Sequence, residues 1–418
     1  MLSLRKKKIN FANERKKHLL PKNLTDEMKK IAVIFEGNNR HRYGVCNAVI
    51  NRVKHLRAIC PYQIDVFMIQ VYDNWLMRQL RHTDKLNRND TELEMDGERI
   101  RILWAERSMM DSAMHHFCHK EPSHLLHRLR RMANLLSGYD LVTAHDTFAA
   151  HLARCASQNF HIPFFVTWHG SSIHTAPVAD KMIRRFTLSL INQADCNFFV
   201  CNSLAEYAKQ LFATGIKYRV LPNGANEQFV RYSNARRAEL RASYGVTNKK
   251  VVTFAGRMEE VKNVTALPCI FKRIAQSATA DVKFWLFGEG KLLKPLKQQM
   301  IDEGVDCTFW GEKPPEEMPD FLNCTDVLVL PSLQEASPLA AIEALSCGGN
   351  VVGSHVMGIP EIIGSNNVVN VHDALFVEKL STRAAEMLTH NVEQPLAPDF
   401  SWSSTAKKEL EIYNQFLS

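Results

Sequence analysis

The sequence predicts an α/β protein made of two Rossmann-like domains facing each other across a cleft. Three observations lead there. Short β-rich apolar runs alternate with helical patterns along the chain, the pattern of parallel sheets covered on both faces. The 418 residues suffice for two or three domains. The alternation is interrupted once, around residue 230, by the polar stretch NEQFVRYSNARRAELRASYGVTNKK.

Residues 1–28 read as a basic N-terminal extension. Ten lysines and arginines against three acids put +7 of the formal net charge of +8 within residues 1–30. Leu2, Leu4, Ile9 and Phe11 lie among those cations. The extension is therefore expected either to be a solvated terminus or to make a peripheral membrane contact with anionic lipid. It has no continuous apolar segment or small-residue cleavage site of a secretory signal. The rest of the chain is almost neutral, which argues against a nucleic-acid partner. No apolar run approaches the ~18–20 residues of a membrane span. The ten cysteines form no Cys-x-x-Cys pair and mostly sit in apolar runs, as buried thiols of a reducing compartment do. The expected location is cytoplasmic, peripheral at the inner membrane face if the extension binds lipid.

The first domain, residues 29–230, is expected to hold strands at 30–36, 63–70, 140–145, 163–169, 196–201 and 218–223. The second, 231–401, is expected to hold strands at 251–256, 282–288, 307–311, 327–332 and 350–354. The closing helix, 402–418, is assigned to the first domain. In such sheets ligands bind beyond the carboxyl ends of the strands, and three strand ends carry suggestive residues.

The stretch PSLQEASPLAAIEALSCGG (331–349) passes from a buried strand into a helix. Ser337 suits the N-cap and Pro338 the first helical position. Gly348 or Gly349 ends the helix. A helix start at a strand's carboxyl end favours an anionic ligand. Glu335 falls in the loop before the helix and Glu343 nearly two turns along it. They are too far apart for an acid/base pair, but suited to gripping different hydroxyls of one extended ligand. In FAGRMEEVKN, Gly256 ends a strand, and Arg257 and Lys262 follow, with a helix expected from about Asn263; two cations there can clamp a diphosphate. In FGEG (287–290), Gly288 and Gly290 permit close backbone approach. Taken singly, each of these residues is at least as often structural as functional, and Glu343 more often a solvated helix residue.

Taken in order, the segments resemble retaining glycosyltransferase family 4, which has the GT-B fold. The matching features are Gly-Arg-x4-Lys, then Gly-x-Gly, then Pro-Ser-x2-Glu-x7-Glu with a Cys-Gly terminator. MGIPEII (357–363), TWHGSSIH (167–174) and LPNGANEQF (221–229) match further family segments. The resemblance implies that Arg257 and Lys262 neutralise the donor diphosphate and that Glu343 binds the ribose hydroxyls. It implies that Glu335 contacts the transferred sugar, with the backbone of Ser337 and Leu339 beside it and Gly256, Gly288 and Gly290 lining the donor. His169 would lie across the cleft near the anomeric carbon. No metal or cofactor is implied, the two cations standing in its place, and attack is from the front face with the leaving phosphate taking the acceptor's proton.

The chain departs from the family in two places. Ala336-Ser337-Pro338 replaces Gly-Phe-Gly, and Pro338 lacks one amide N–H. EGNNRHRYG lacks paired glycines, so Arg40, His41 or Arg42 is expected to contact phosphate or acceptor instead. HHFCHKEPSHLLH (115–127) invites a metal reading, but its spacing is irregular and no second cluster completes a site. With Arg128, Arg130 and Arg131 it reads better as an amphipathic acceptor-side or membrane-facing helix, or as an ordinary surface helix.

The expected activity is transfer, with retention, of a hexose from a UDP- or GDP-sugar to a hydroxyl of a glycan or lipid-linked acceptor in surface polysaccharide biosynthesis. The alternatives are a GT-B nucleotide-sugar epimerase or phosphorylase, or an inactive GT-B binding protein.

Overall fold

The computed structural model describes residues 28–37, 44–75, 88–118, 121–213, 215–390 and 393–417, without the side chains of 114–118. Residues 1–27 of the basic extension, and Arg40, His41 and Arg42, lie outside the described residues.

The first sheet contains β1 (Lys30–Glu36), β2 (Gln63–Asp73), β3 (Glu92–Met95), β4 (Glu98–Arg107), β5 (Leu141–His145), β6 (Phe164–Trp168), β7 (Cys196–Phe199) and β8 (Tyr218–Val220). Its spatial order is β3-β4-β2-β1-β5-β6-β7-β8. All pairings are parallel except the β3–β4 hairpin. That hairpin is absent from the sequence expectation. Its signal is Asp96-Gly97 between alternating residues, and both adopt the left-handed backbone of a two-residue turn, φ 51° and 81°.

The second sheet contains β9 (Lys250–Ala255), β10 (Val282–Phe287), β11 (Cys307–Gly311), β12 (Val327–Leu330), β13 (Asn350–Ser354) and β14 (Val368–Val369), in the order β11-β10-β9-β12-β13-β14. It is parallel throughout. Its inner strands are continuous apolar runs because helices cover both faces. Val252, Phe254, Val327, Val329 and Val352 enter one core; Leu328, Leu330 and Val351 enter the core on the other face.

The closing helix, Trp402–Leu417, packs on the Gly44–Ile59 helix of the first sheet. Glu409 forms a buried ion pair with Arg52, and Tyr413 donates its hydroxyl to Glu409. The two crossings between the domains are bound together. Ala225 bridges to Ser401, its N–H donating to Phe400 O at 3.3 Å, and Thr405 Oγ1 donates to Pro222 O at 2.6 Å.

The stretch 115–131 is two helices, Met109–Cys118 and Ser123–Met132, rather than one. Leu125, Leu126 and Leu129 are buried in the first domain's core, so the second helix turns its apolar face inward and not toward a membrane. His115, His116, Cys118 and His119 lie outside the described side chains. Among the described residues no helix is long and apolar enough to cross a membrane.

Candidate active site between the two sheets

On the second domain, three strand ends converge. The β9 end runs through Gly256 to Met258, and the β10 end through Gly288 to Gly290. They are laced by Gly256 N to Phe287 O (3.1 Å), Met258 N to Glu289 O (2.8 Å) and Leu292 N to Met258 O (2.9 Å). A Cβ on Gly288 would overlap Gly256 O, and one on Gly290 would lie 2.5 Å from Met258 O; both glycines have left-handed φ, 115° and 152°. The approach these glycines permit in the described structure is that of one protein backbone to another. Gly256 has ordinary contacts at its Cβ position.

After Met258 the chain makes two 3-10 turns, Glu260–Lys262 and Val264–Ala266, joined by Asn263 in the left-handed region. The α-helix opens at Leu267, not near Asn263 as expected, with Pro268 in its first turn. Leu333 N donates to Val261 O at 2.9 Å and so pins the loop after β12 against this turn. That contact brings Lys262 Nζ into an ion pair with the Glu335 carboxylate, both side chains largely buried. Arg257 is not drawn into this pair. Its guanidinium meets Glu259 at 2.9 Å and is 54% exposed on the rim.

The helix beyond Glu335 runs Leu339–Ser346. Ser337 is not its N-cap: the cap position falls on Pro338 and makes no side-chain cap bond. Ser337 Oγ is instead buried with no hydrogen-bond partner among the described residues. Leu339 opens the helix, and at its end Gly348, φ 82°, closes it as expected, with Gly349 N donating to Ala344 O at 3.0 Å. Glu343 is half-buried within the helix, and burial alone pushes its carboxyl up to about 7.

Facing these residues is the β6 end. Gly170 (φ 140°) turns the chain directly after His169, and a Cβ there would meet Ala336 Cβ of the second domain at 3.3 Å. Thr175 Oγ1 donates to Gln334 Oε1 at 3.2 Å across the same gap. His169 Nε2 lies 2.9 Å from His145 Nδ1, and the two rings stack with centroids 5.2 Å apart. Burial lowers both imidazoles below their ordinary range, and the Arg52 charge beneath them adds to it. Both rings are therefore neutral at pH 7, sharing one N–H between facing nitrogens. The arrangement brings His169 and Glu335 to opposite walls of one cleft and leaves Glu343 farther along its helix.

Sequence reading overlooked Asp146 and Glu36. Asp146 ends β5 with φ 66°, uncommon for a non-glycine residue, and accepts from Ser172 Oγ and from His169 N (3.4 Å). Glu36 ends β1 and accepts from Phe148 N at 2.6 Å; burial and the Asp146 charge push its carboxyl up to about 7. The available signal was an acid directly after an apolar strand, in TAHD and VIFE. Both line a cavity of about 530 Å³ with Arg107, Phe148, Ser172, Met182, Ile183 and Phe186. A larger concavity, about 810 Å³, lies at the opposite, amino ends of β9, β12 and β13 and includes none of these residues.

Comparison with known proteins fixes the family. The profile of Glycosyl transferases group 1 matches residues 236–400, and that of the Glycosyl transferase 4-like domain matches residues 69–224. The chain belongs to the group 1 glycosyl transferases. This group 1 chain is 26% identical to the Bacillus subtilis glycosyltransferase TuaC, assigned to teichuronic acid biosynthesis, over 60% of each protein. It is 27% identical to a GDP-mannose-dependent phosphatidylinositol monomannoside mannosyltransferase of Mycobacterium tuberculosis over 62% of the chain and 69% of that relative. The alignment thus spans well under the full length of these relatives. The solved structure of Anabaena Alr3699/HepE in complex with UDP matches 92% of the chain and 100% of its own with a TM-score of 0.67 at 16% identity, a likeness of fold. The fold is GT-B, two Rossmann-like domains facing each other across a cleft.

Proposed function

We propose that this group 1 glycosyl transferase moves a hexose, with retention, from a UDP- or GDP-sugar to a hydroxyl of a glycan or lipid-linked acceptor in surface polysaccharide assembly. The observation that carries the reading is the opposition of the Lys262–Glu335 pair to the neutral His169 across a gap closed by Gly170 and Ala336. In this reading Lys262 and, from the rim, Arg257 meet the diphosphate and stabilise charge as it leaves. Glu335 passes from Lys262 to hydroxyls of the sugar. Glu343, and the unpartnered Ser337 Oγ, receive the nucleoside and phosphate side of the donor. The imidazole of His169 offers a neutral hydrogen-bonding group beside the anomeric carbon. The cavity bounded by Asp146, Glu36 and Phe186 opens beside His169 and suits an acceptor with hydroxyls on one side and an apolar face on the other. The nucleotides named in the relatives, UDP and GDP-mannose, support a nucleoside diphosphate donor.

A panel of nucleotide sugars tests this. Donor hydrolysis, or transfer to a supplied glycan with the product anomer read by NMR, is expected with at least one UDP- or GDP-sugar, with retention. Phosphorolysis with inorganic phosphate, or epimerised donor, would replace the reading by one of its alternatives, and nucleotide binding without turnover would favour an inactive binding protein.

A further inference from the structure

The Asn202–Phe212 helix of the first domain carries no side-chain cap of its own: its cap position is Cys201, in extended conformation, with no side-chain cap bond. The first N–H groups of any helix need acceptors. Here the second domain supplies them. Glu361, on the short Ile359–Ile363 turn after β13, sends one carboxylate oxygen to Asn202, accepting from its N–H and from its Nδ2, each at 2.9 Å. The other oxygen accepts from Ser203 N–H and Oγ, each at 2.7 Å. One carboxylate thus takes four donors across the domain boundary, at a helix end where negative charge is favoured.

The same turn touches the donor loop. Gly358 N donates to Glu335 O at 3.2 Å, and a Cβ on Gly358 would overlap Ala336 O while lying 3.1 Å from Cys201 Cβ. Met357 packs on the first domain's core together with Ala336. Movement of Glu361 against the helix end is therefore movement of Glu335 and Ala336 against His169 and Gly170.

We propose that Glu361 is a positioning residue for the transfer reaction: it latches the second domain onto the start of the Asn202–Phe212 helix and thereby seats Glu335 opposite His169. This rests on the donor-site reading above. The latch touches neither the diphosphate-facing cations nor Glu343, so it governs closure and turnover rather than nucleotide affinity.

The test uses the full chain with Glu361→Ala, Glu361→Gln and, from the other side, Ser203→Ala. Amide hydrogen exchange at 202–204, the radius of gyration by small-angle scattering, UDP and GDP binding, and donor-hydrolysis kcat and KM are measured. Glu361→Ala is expected to speed exchange at 202–204 at least ~10-fold, to expand the protein, and to lower kcat ~10-fold or more with nucleotide Kd within about twofold of the parent, the loss expected of charge-assisted hydrogen bonds made in the closed form. Glu361→Gln, keeping one acceptor oxygen, should recover part of kcat, and Ser203→Ala should show a smaller change of the same kind. Unchanged exchange and scattering in Glu361→Ala overturn the latch. So does an equal loss of nucleotide affinity and kcat, or a Gln variant no better than Ala. If the parent chain binds neither UDP nor GDP, the donor reading fails, and the latch stands or falls on exchange and scattering alone.

Discussion

Lys262 and Glu335, carried by turns after two different strands, form an ion pair at the floor of the cleft, while Arg257 pairs with Glu259 on its rim. The cation and the carboxylate therefore hold each other in place, and in the proposed donor reading each exchanges its partner when a donor binds. Lys262→Ala leaves Glu335 with an unpaired, largely buried carboxylate as well as removing the proposed phosphate ligand. We expect turnover to fall by ~10²–10³ or more, in the range of losing one strong transition-state donor. Arg257→Ala, at an exposed position, should weaken nucleotide diphosphate binding without the stability loss of Lys262→Ala. Steady-state kinetics and thermal unfolding of both variants check this, and near-parental rates for Lys262→Ala would contradict it.

Glu343 makes a prediction with opposite signs for stability and binding. Its carboxyl is raised from 4.5 to about 7, so the folded chain holds this proton more tightly than the unfolded chain. Ionising it removes stability as pH climbs from about 4.5 to 7, and the full loss persists above. Glu343→Gln should therefore unfold at a higher temperature than the parent at pH 8 and at a similar one at pH 4.5. If ribose hydroxyls donate to the ionised group, the same variant should bind UDP or GDP roughly 10-fold more weakly, about the worth of a hydrogen bond to a charge. Calorimetry in two buffers of different ionisation heat should then record proton release on binding near pH 6.5. A Gln variant with parental nucleotide affinity would remove Glu343 from the ribose.

What sequence made legible here was whatever had a local cause. Alternation and apolar runs place nearly all the parallel strands, and the Gly348 terminator is read from its helix end alone. The β3–β4 hairpin was missed because the Asp96-Gly97 turn sits among charged residues that blur its alternation. Ser337 was misread for a related reason: Ser followed by Pro is a sound local helix start, but the loop is held from outside, by Leu333 on Val261 and by Gly358 on Glu335, and the cap shifts to Pro338. The roles of Gly288 and Gly290 depend on Met258 and Gly256, distant in sequence. Asp146 and Glu36 become a pair only when β1 and β5 lie side by side.

The His145–His169 pair predicts pH behaviour in the other direction. Both imidazoles are depressed, so the unfolded chain binds protons that the folded chain refuses. The pair's contribution to stability is complete above about pH 6.5 and is lost as pH falls through the lower folded values. Replacing His145 by Asn should flatten the acid side of the stability profile. It should also free His169 from its 2.9 Å partner and lower turnover, with little effect on nucleotide affinity because both residues lie on the first domain. Thermal unfolding between pH 5 and 8, beside kcat at pH 7.5, measures both. An unchanged acid slope would show that other groups carry the acid sensitivity.

The proposed neutralisation of the donor diphosphate by Lys262 and Arg257 carries an expectation for metals. Among the described residues, no three His, Cys, Asp or Glu gather as a cation site. If side-chain cations serve the diphosphate, a chelator should leave donor hydrolysis within about twofold of its starting rate, whereas a bridging metal whose removal exposes the phosphate charge would cost orders of magnitude. Activity abolished by EDTA and restored by Mg²⁺ or Mn²⁺ would overturn the two-cation reading while leaving the fold untouched.

The last prediction concerns the paired crossings. Gly224 packs so closely under the start of the closing helix that a Cβ would overlap the backbone N of Trp402 and the carbonyl carbon of Ser401. Neither is the tip of a side chain that could swing aside, so Gly224→Ala has to part Ala225 from Ser401. That releases Trp402, which is 1% exposed, and the helix that carries Glu409 to Arg52 beneath the histidine pair. Overpacking of this kind costs about 1–3 kcal/mol, and more where backbone must move. A lowered unfolding temperature is the first expectation. The second is specific to this geometry: with the Arg52–Glu409 support loosened, kcat should fall more than nucleotide affinity, since the second domain's Lys262 and Glu343 are held by other contacts. Gly245→Ala, where a Cβ meets nothing within 4 Å though φ is 68°, is the control for backbone strain alone. Gly224 itself has no positive φ, so a loss in Gly224→Ala no larger than that in Gly245→Ala would show that the crossing yields without the cost of parting two backbones.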